Sequence, residues 1–282
     1  MISMAVCASH SPLIDTVDGG QAGRRFLEAI DDARRRIEAF DPDLVVFFGP
    51  DHSRALDNLV PAVTVVDSAV GYGDWGTPAD AYDVDSALAT ELTAVLLRTG
   101  FDVALGHDIR IDHGFGQTFV QLFGHLGARR CLPIVLNCAR PPLAPVNRVA
   151  EVAAAVGGYL EDKVDRILYV GSGGLSHQPP SMAKAVTALS EAEREAVSRR
   201  TVADAAKFIN PPWDRRFLAA VAASDEAFLR NLADTDIEQA GLGTHEVRTW
   251  VAAWIASGAT KGSYAYQPVP EWITGMGVVV SG

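Results

Sequence analysis

The chain has 282 residues, 48% of them hydrophobic, enough to bury a substantial core. A net charge of −11 excludes the concentrated basic surface that nucleic acid requires, and no apolar run approaches the roughly 20 residues of a transmembrane helix. Three cysteines, Cys7, Cys131 and Cys138, are an odd count, and Met1-Ile2-Ser3-Met4 lacks a basic secretory n-region, so reduced thiols and a cytoplasmic location are expected.

Ile2 to Ala8 reads as a β-strand running into Ser9-His10-Ser11-Pro12. Phe26, Ile30, Ala33, Ile37 and Phe40 then recur at steps of four and three, predicting an amphipathic helix that Asp41-Pro42 ends. Arg34-Arg35-Arg36 within it lies among Asp31, Asp32 and Glu38, the composition of a solvated helical face. Strand Leu44 to Phe48 follows and runs into Gly49-Pro50-Asp51-His52, which completes a right-handed strand–helix–strand crossover.

Further strands are expected at Ala62 to Val66, Ile109 to Ile111, Pro133 to Leu136 and Arg166 to Val170. Helices are expected at Ser86 to Thr99, at Gln117 to Leu126 with His125 on it, and at Pro145 to Glu161. From Ser181 to about Ala240 the pattern is helical, with a break at Asn210-Pro211-Pro212-Trp213. A last helix from Thr244 buries Val247, Trp250, Val251, Trp254 and Ile255, and the tail with Tyr264, Tyr266 and Trp272 closes the core or forms a subunit contact. The fold class is α/β: one domain over residues 1–282, a central, largely parallel or mixed sheet flanked by helices, and an active site at the strands' C-terminal ends.

Four of the seven histidines, His10, His52, His113 and His177, stand in short Ser/Gly/Pro/Asp-rich loops just after predicted strands. That placement points to one shared site. Two neutral imidazoles and one carboxylate on one face of a metal suit non-haem Fe(II) and oxygen chemistry, and His10, His52 and Glu246 are the candidates. With Thr244 as N-cap, Glu246 would lie in the first helical turn, where the helix dipole keeps it ionised; the alternative is a dipole-favoured surface acid. His113 beside Asp112 has the makings of a general acid or base tuned by that aspartate, and otherwise of a turn histidine.

His177 ends a loop with three glycines, Gly171, Gly173 and Gly174, and precedes Pro179-Pro180, so its side chain is held in tight backbone geometry. Ser176 raises a serine-hydrolase alternative, but the nucleophile-elbow pattern fails at Gln178, where a glycine is needed. Cys7-Ala8-Ser9-His10 has the spacing of a zinc half-site without a second pair of soft ligands, leaving Cys7 as a small buried hydrophobe. His107 and His125 read as structural, and His245 as a donor to a neighbour or a cap.

The sequence resembles the class III extradiol ring-cleaving dioxygenases, the superfamily of the protocatechuate 4,5-dioxygenase catalytic subunit. The likeness lies in Ser9-His10-Ser11-Pro12-Leu13, Pro50-Asp51-His52, Asp112-His113-Gly114-Phe115, Gly171 through Pro180, Thr244-His245-Glu246 with Thr249-Trp250-Val251-Ala252-Ala253, and Pro268-Val269-Pro270-Glu271-Trp272. The resemblance implies Fe(II) held by His10, His52 and Glu246, with His113 as proton donor and His177 as proton acceptor. It further implies a catechol and O2 as substrates and a homo-oligomer, specifically a tetramer. Within the family the likeness is to the 2,3-dihydroxyphenylpropionate branch, which implies cleavage of 3-(2,3-dihydroxyphenyl)propionate to 2-hydroxy-6-oxonona-2,4-dienedioate. A helical stretch between Pro180 and Asn210 shorter than that branch leads one to expect leaves the substrate side chain open. Arg54, Arg110 and Arg140 are candidates to meet a substrate carboxylate. The alternatives are another catechol, a metal-dependent hydrolase, or an inactive binding protein on the same fold.

Overall fold

A computed structural model describes residues 2–56, 58–179 and 189–282, so the helical expectation over 181–188 lies outside the described residues. Its centre is a nine-stranded mixed sheet. Strands β1 (Ile2–Ala8), β2 (Leu44–Pro50), β3 (Val63–Val66), β4 (Ala69–Gly71), β5 (Asp83–Val84), β6 (Ala104–Gly106), β7 (Ile109–Ile111), β8 (Arg130–Leu136), β9 (Arg166–Ser172), β10 (Gly262–Val269) and β11 (Thr274–Ser281) follow in chain order. The sheet runs β10-β11-β1-β9-β2-β8-β3-β6, with β5 beside β8; β4 and β7 form a separate parallel pair. β1, β9, β2 and β8 are mutually parallel, so their C-terminal ends open on one edge.

The central strands are apolar without alternation because both faces are covered. Ala5, Cys7, Val46 and Phe48 face a core shared with helices α2 (Ser86–Arg98) and α4 (Val146–Leu160); Met4, Val6, Ala8 and Phe47 face one shared with α1 (Gly20–Phe40) and α3 (His113–Phe123). The second half adds α5 (Glu191–Arg200), α6 (Val202–Ala205), α7 (Pro211–Ala222), α8 (Glu226–Arg230), α9 (Asp234–Glu238) and α10 (Val247–Ser257). Asn210 caps α7 by accepting from Trp213 N at 3.2 Å, with Pro211 in the first turn, which explains the break in the helical pattern there. All three cysteines are buried thiols, and Cys7 lies in the core rather than in the histidine site.

Three local expectations are corrected. Helix α3 starts at His113, not Gln117, because Asp112 caps it by accepting from Gly114 N at 2.8 Å, and Gly114 is admitted where a Cβ would stand 2.9 Å from His52 Cε1. His125 lies past the end of that helix and is exposed, since Gly124 ends it at φ 90°. Thr244 does not cap the last helix: it sits inside a 3₁₀ turn, Leu242–Glu246, and its Oγ1 donates to Ala240 O at 2.7 Å. The aromatic tail does close the core, through Trp272 in the turn between strands β10 and β11, while Tyr264 is exposed.

Helix α10 carries Glu246 at its N-terminal end and packs against α4 where Gly157 meets Ala256. A Cβ at Gly157 would collide with the Ala256 carbonyl, whereas one at Gly158 meets nothing within 4 Å. Gly157→Ala is expected to destabilise the fold by about 1–3 kcal/mol through overpacking. Gly158→Ala, on the exposed face of the same helix, is expected to stabilise it by about 0.5–1 kcal/mol. Denaturant unfolding of the two variants checks the pair; equal shifts would contradict this packing.

Candidate active site

The C-terminal ends of β1, β2 and β9 lie side by side in the sheet, so the loops after them deliver His10, His52 and His177 to one place. His113 arrives on the first residue of α3, and Glu246 from the turn before α10. The rings of His10 and His52 meet edge to face at 5.4 Å, those of His52 and His113 stack at 4.5 Å, and those of His10 and His113 lie 5.7 Å apart. Sequence reasoning therefore selected five residues that the fold brings together. Surface acid is the wrong description of Glu246, which is 2% exposed.

Each of the four imidazoles has its Nδ1 tied to the protein. His10 Nδ1 lies 3.0 Å from Ser172 Oγ, which itself donates to Gly114 O at 2.5 Å. A serine has one proton to give, so His10 Nδ1 is the donor in that pair and its Nε2 keeps a lone pair. His52 Nδ1 donates to Asp112 at 3.2 Å, His113 Nδ1 to Asp74 at 2.6 Å, and His177 Nδ1 to Leu175 O at 2.7 Å. Such bonds fix both the tautomer and the ring orientation. They also correct the expected pairing: Asp112 serves His52, because its duty as cap of α3 turns it that way, and Asp74 serves His113.

The free edges converge on Glu246. Its Oε1 accepts from His52 Nε2 at 3.0 Å and stands 3.7 Å from His177 Nε2; its Oε2 lies 3.5 Å from His10 Nε2 and accepts from Gly174 N at 2.6 Å. Burial alone would raise the Glu246 pKa, but the imidazoles of His10, His177 and His52 outweigh it and hold the carboxyl well below its usual range. Burial pushes His10 down to about 3, so it is neutral. Burial also opposes a charge on His52, yet Asp112 and Glu246 together raise it well above the usual histidine value. Glycines are required here by space: a Cβ at Gly174 would stand 2.5 Å from His177 Cε1, and one at Gly243 would overlap the same ring.

This donor set fits a metal ion. Ligands about 2.0–2.2 Å from a common centre stand roughly 3 Å from one another at right angles, close to the separations between Glu246 and the Nε2 atoms of His52 and His10. His10, His52 and His113 can also each present a nitrogen within 4.8 Å of the others, a second grouping able to hold a metal ion.

A cleft opens over these groups, lined by His10, His52, His113 and His177 and walled by Pro12, Arg54, Trp75, Pro179, Ile273 and Thr274. Sequence reasoning missed Asp74, Trp75, Ile273 and Thr274; the signal was Gly73-Asp74-Trp75-Gly76, an acid in a glycine-bounded turn. Arg54 is on the wall, whereas Arg110 covers the Tyr72 ring and donates to Tyr72 O, away from the cleft. Ser176 is no nucleophile: its Oγ donates to Asp214 at 2.6 Å and accepts from Asn210 N at 2.7 Å. His245 accepts from Arg248 through Nδ1 at 2.7 Å and faces Glu238, outside the cleft; burial and Arg248 lower its pKa. His107 pairs with Asp67 at the surface.

A family model described as the catalytic LigB subunit of aromatic ring-opening dioxygenase matches residues 4–277. A 2,3-dihydroxyphenylpropionate/2,3-dihydroxicinnamic acid 1,2-dioxygenase of Rhodococcus sp is 37% identical, covering 99% of this chain and 98% of its own length. Proteins of the same description from Dechloromonas aromatica (strain RCB) and Klebsiella pneumoniae subsp. pneumoniae are each 35% identical, covering 97% and 96% of this chain and 96% of their own lengths. A match along nearly the whole chain, over a site of clustered histidines and one buried carboxylate, makes this a member of the LigB family: the chain is an extradiol aromatic ring-opening dioxygenase.

Proposed function

We propose that the chain, acting as one catalytic domain over residues 1–282, uses Fe(II) and O2 to cleave 3-(2,3-dihydroxyphenyl)propionate to 2-hydroxy-6-oxonona-2,4-dienedioate. Family membership implies a metal and a catechol, and the relatives that align along almost the whole chain carry the phenylpropionate name. The observation that supports the reading is the convergence of three Nε2 edges, those of His10, His52 and His177, on one buried carboxylate, with every Nδ1 of the four cleft imidazoles tied back. In this reading His10, His52 and Glu246 hold the iron. Bound there, Fe(II) would supply what no side chain can, a redox-active centre coupling the catechol to O2.

The side chains do the rest. His177, with Nδ1 held by Leu175 O, presents Nε2 to the cleft as acceptor of a catechol hydroxyl proton. His113, stacked on His52 and held by Asp74, is the proton donor to the opening ring. Trp75, Pro12 and Ile273 give apolar walls for the ring, and Arg54 supplies positive charge on the same wall for a propionate carboxylate. The reading includes a homotetramer in the cytoplasm; no helix among the described residues is long and apolar enough to cross a membrane. Nothing in the cleft favours the hydrolase alternative, because Ser176 is bound to Asp214 outside the lining.

Anaerobic reconstitution with Fe(II), followed by the catechol and air, is expected to give iron-dependent oxygen uptake and a yellow ring-opened product. No uptake with any catechol, despite folded protein and bound metal, would overturn the reading. Glu246→Ala is expected to lose bound iron, measured as metal content after reconstitution, and full retention would remove Glu246 from the ligand set. His177→Ala is expected to retain iron and lose turnover by roughly two to four orders of magnitude; undiminished turnover would contradict its proton role.

A further inference from the structure

We infer that Asp74 is the positioning residue of His113, keeping the proton on Nδ1 so that Nε2 alone faces the cleft. The inference rests on His113 being the proton donor. One carboxylate grips this residue twice: Oδ1 accepts from the His113 backbone N at 2.9 Å and Oδ2 from Nδ1 at 2.6 Å. The Asp74 side chain is fully buried, so water does not compete for either oxygen. A carboxylate can only accept, which leaves Nδ1 as the donor whether the ring is neutral or charged.

The local backbone is bent to make this contact. Asp74 opens a tight turn between Gly73 at φ 83° and Gly76 at φ 80°, and Trp75 between them holds φ 53°, a left-handed value that a bulky side chain rarely adopts. Thr77 closes the turn, its N and Oγ1 donating to Asp74 O at 3.0 and 2.7 Å. The result sends Asp74 inward to His113 and Trp75 to the cleft wall, where its ring meets the His113 edge at 6.3 Å. Strain of this kind persists where the surroundings over-determine it, and functional sites are where it gathers. Arg54 Nε, 3.4 Å from Asp74 Oδ2, offsets the buried charge.

Asp112, next to His113 in the chain, is already bound to His52 and to the cap of α3. Two carboxylate–imidazole pairs thus lie side by side with stacked rings, one behind a proposed iron ligand and one behind the proposed proton donor. Without Asp74 the His113 ring has no acceptor fixing its tautomer, and a proton on Nε2 in the neutral ring becomes as accessible as one on Nδ1.

Histidine-¹⁵N NMR of the metal-free protein tests this directly. The His113 ring, assigned by its loss in His113→Gln, is expected to carry its proton on Nδ1 with a strongly downfield resonance, and Asp74→Asn is expected to abolish that signal. After Fe(II) loading, Asp74→Asn should bind iron as the parent does and keep KM within about threefold, while kcat falls roughly 100-fold or more. In a His113→Gln background the same change should cost nothing further, because Asp74 acts through that ring. A neutral His113 protonated on Nε2 in the parent protein, a measurement that needs no variant to fold, would overturn the inference. So would unchanged kcat in Asp74→Asn, or an equal loss with and without His113. Failure of the parent to open any catechol would instead overturn the functional reading while leaving the tautomer measurement standing.

Discussion

Burying an ionised carboxylate costs several kcal/mol unless donors surround it, and the site is organised around meeting that demand at Glu246. The backbone N of Gly174 and Nε2 of His52 donate to its two oxygens, and the Nε2 edges of His10 and His177 stand 3.5 and 3.7 Å away. Those groups come from three parallel strands, so the demand ties together the ends of β1, β2 and β9 and the turn before α10. Gly174 and Gly243 are where the chain gives up side chains to let His177 approach. On the proposed reading, a metal ion held by His10, His52 and Glu246 would add positive charge beside this carboxylate, among side chains already desolvated.

The anchors behind the imidazoles differ in a way that matches what each ring is asked to do. His10 rests on a neutral hydroxyl that also serves Gly114 O and Thr118, so its Nε2 is a fixed lone pair with little negative charge behind it. His52 and His113 each have a carboxylate behind Nδ1, which fixes the tautomer and the ring orientation, and at His52 the carboxylates Asp112 and Glu246 also raise the pKa. His177 leans on a backbone carbonyl, a neutral acceptor that fixes the ring with its Nε2 toward the cleft.

The parallel half of the fold was legible in the sequence because strands buried on both faces read as unbroken apolar runs, and a histidine right after such a run has few other places to go. Strands β10 and β11 were not legible. β11 contains Gly275 and Gly277, poor strand formers by propensity, placed there because Asp214 and Leu175 press against the backbone. That is a tertiary reason and leaves no local trace. The partner of His113 was misread for a similar cause. Adjacency suggested Asp112, but a helix cap commits its side chain to the N–H groups ahead of it, and here the same rotamer also reaches His52, 60 residues away in sequence. Asp74 reaches His113 only through a turn whose geometry no periodicity announces.

The division between these two kinds of segment is also a division of labour. The clustered histidines and Glu246 sit at the ends of buried parallel strands and at helix starts, backed by the two cores on either side of the sheet. The cleft walls come from irregular segments: Trp75 from a strained turn and Ile273, at φ 54°, from the corner leading into β11. Arg54 stands two residues beyond His52, donates to His52 O at 2.7 Å and reaches Asp74 as well, so its charge on the cleft wall is tied to the carboxylate behind His113. On the proposed reading, reshaping Ile273 would alter which catechol fits while leaving the metal-holding residues in place, whereas replacing Arg54 would act on both the fit and the setting of His113.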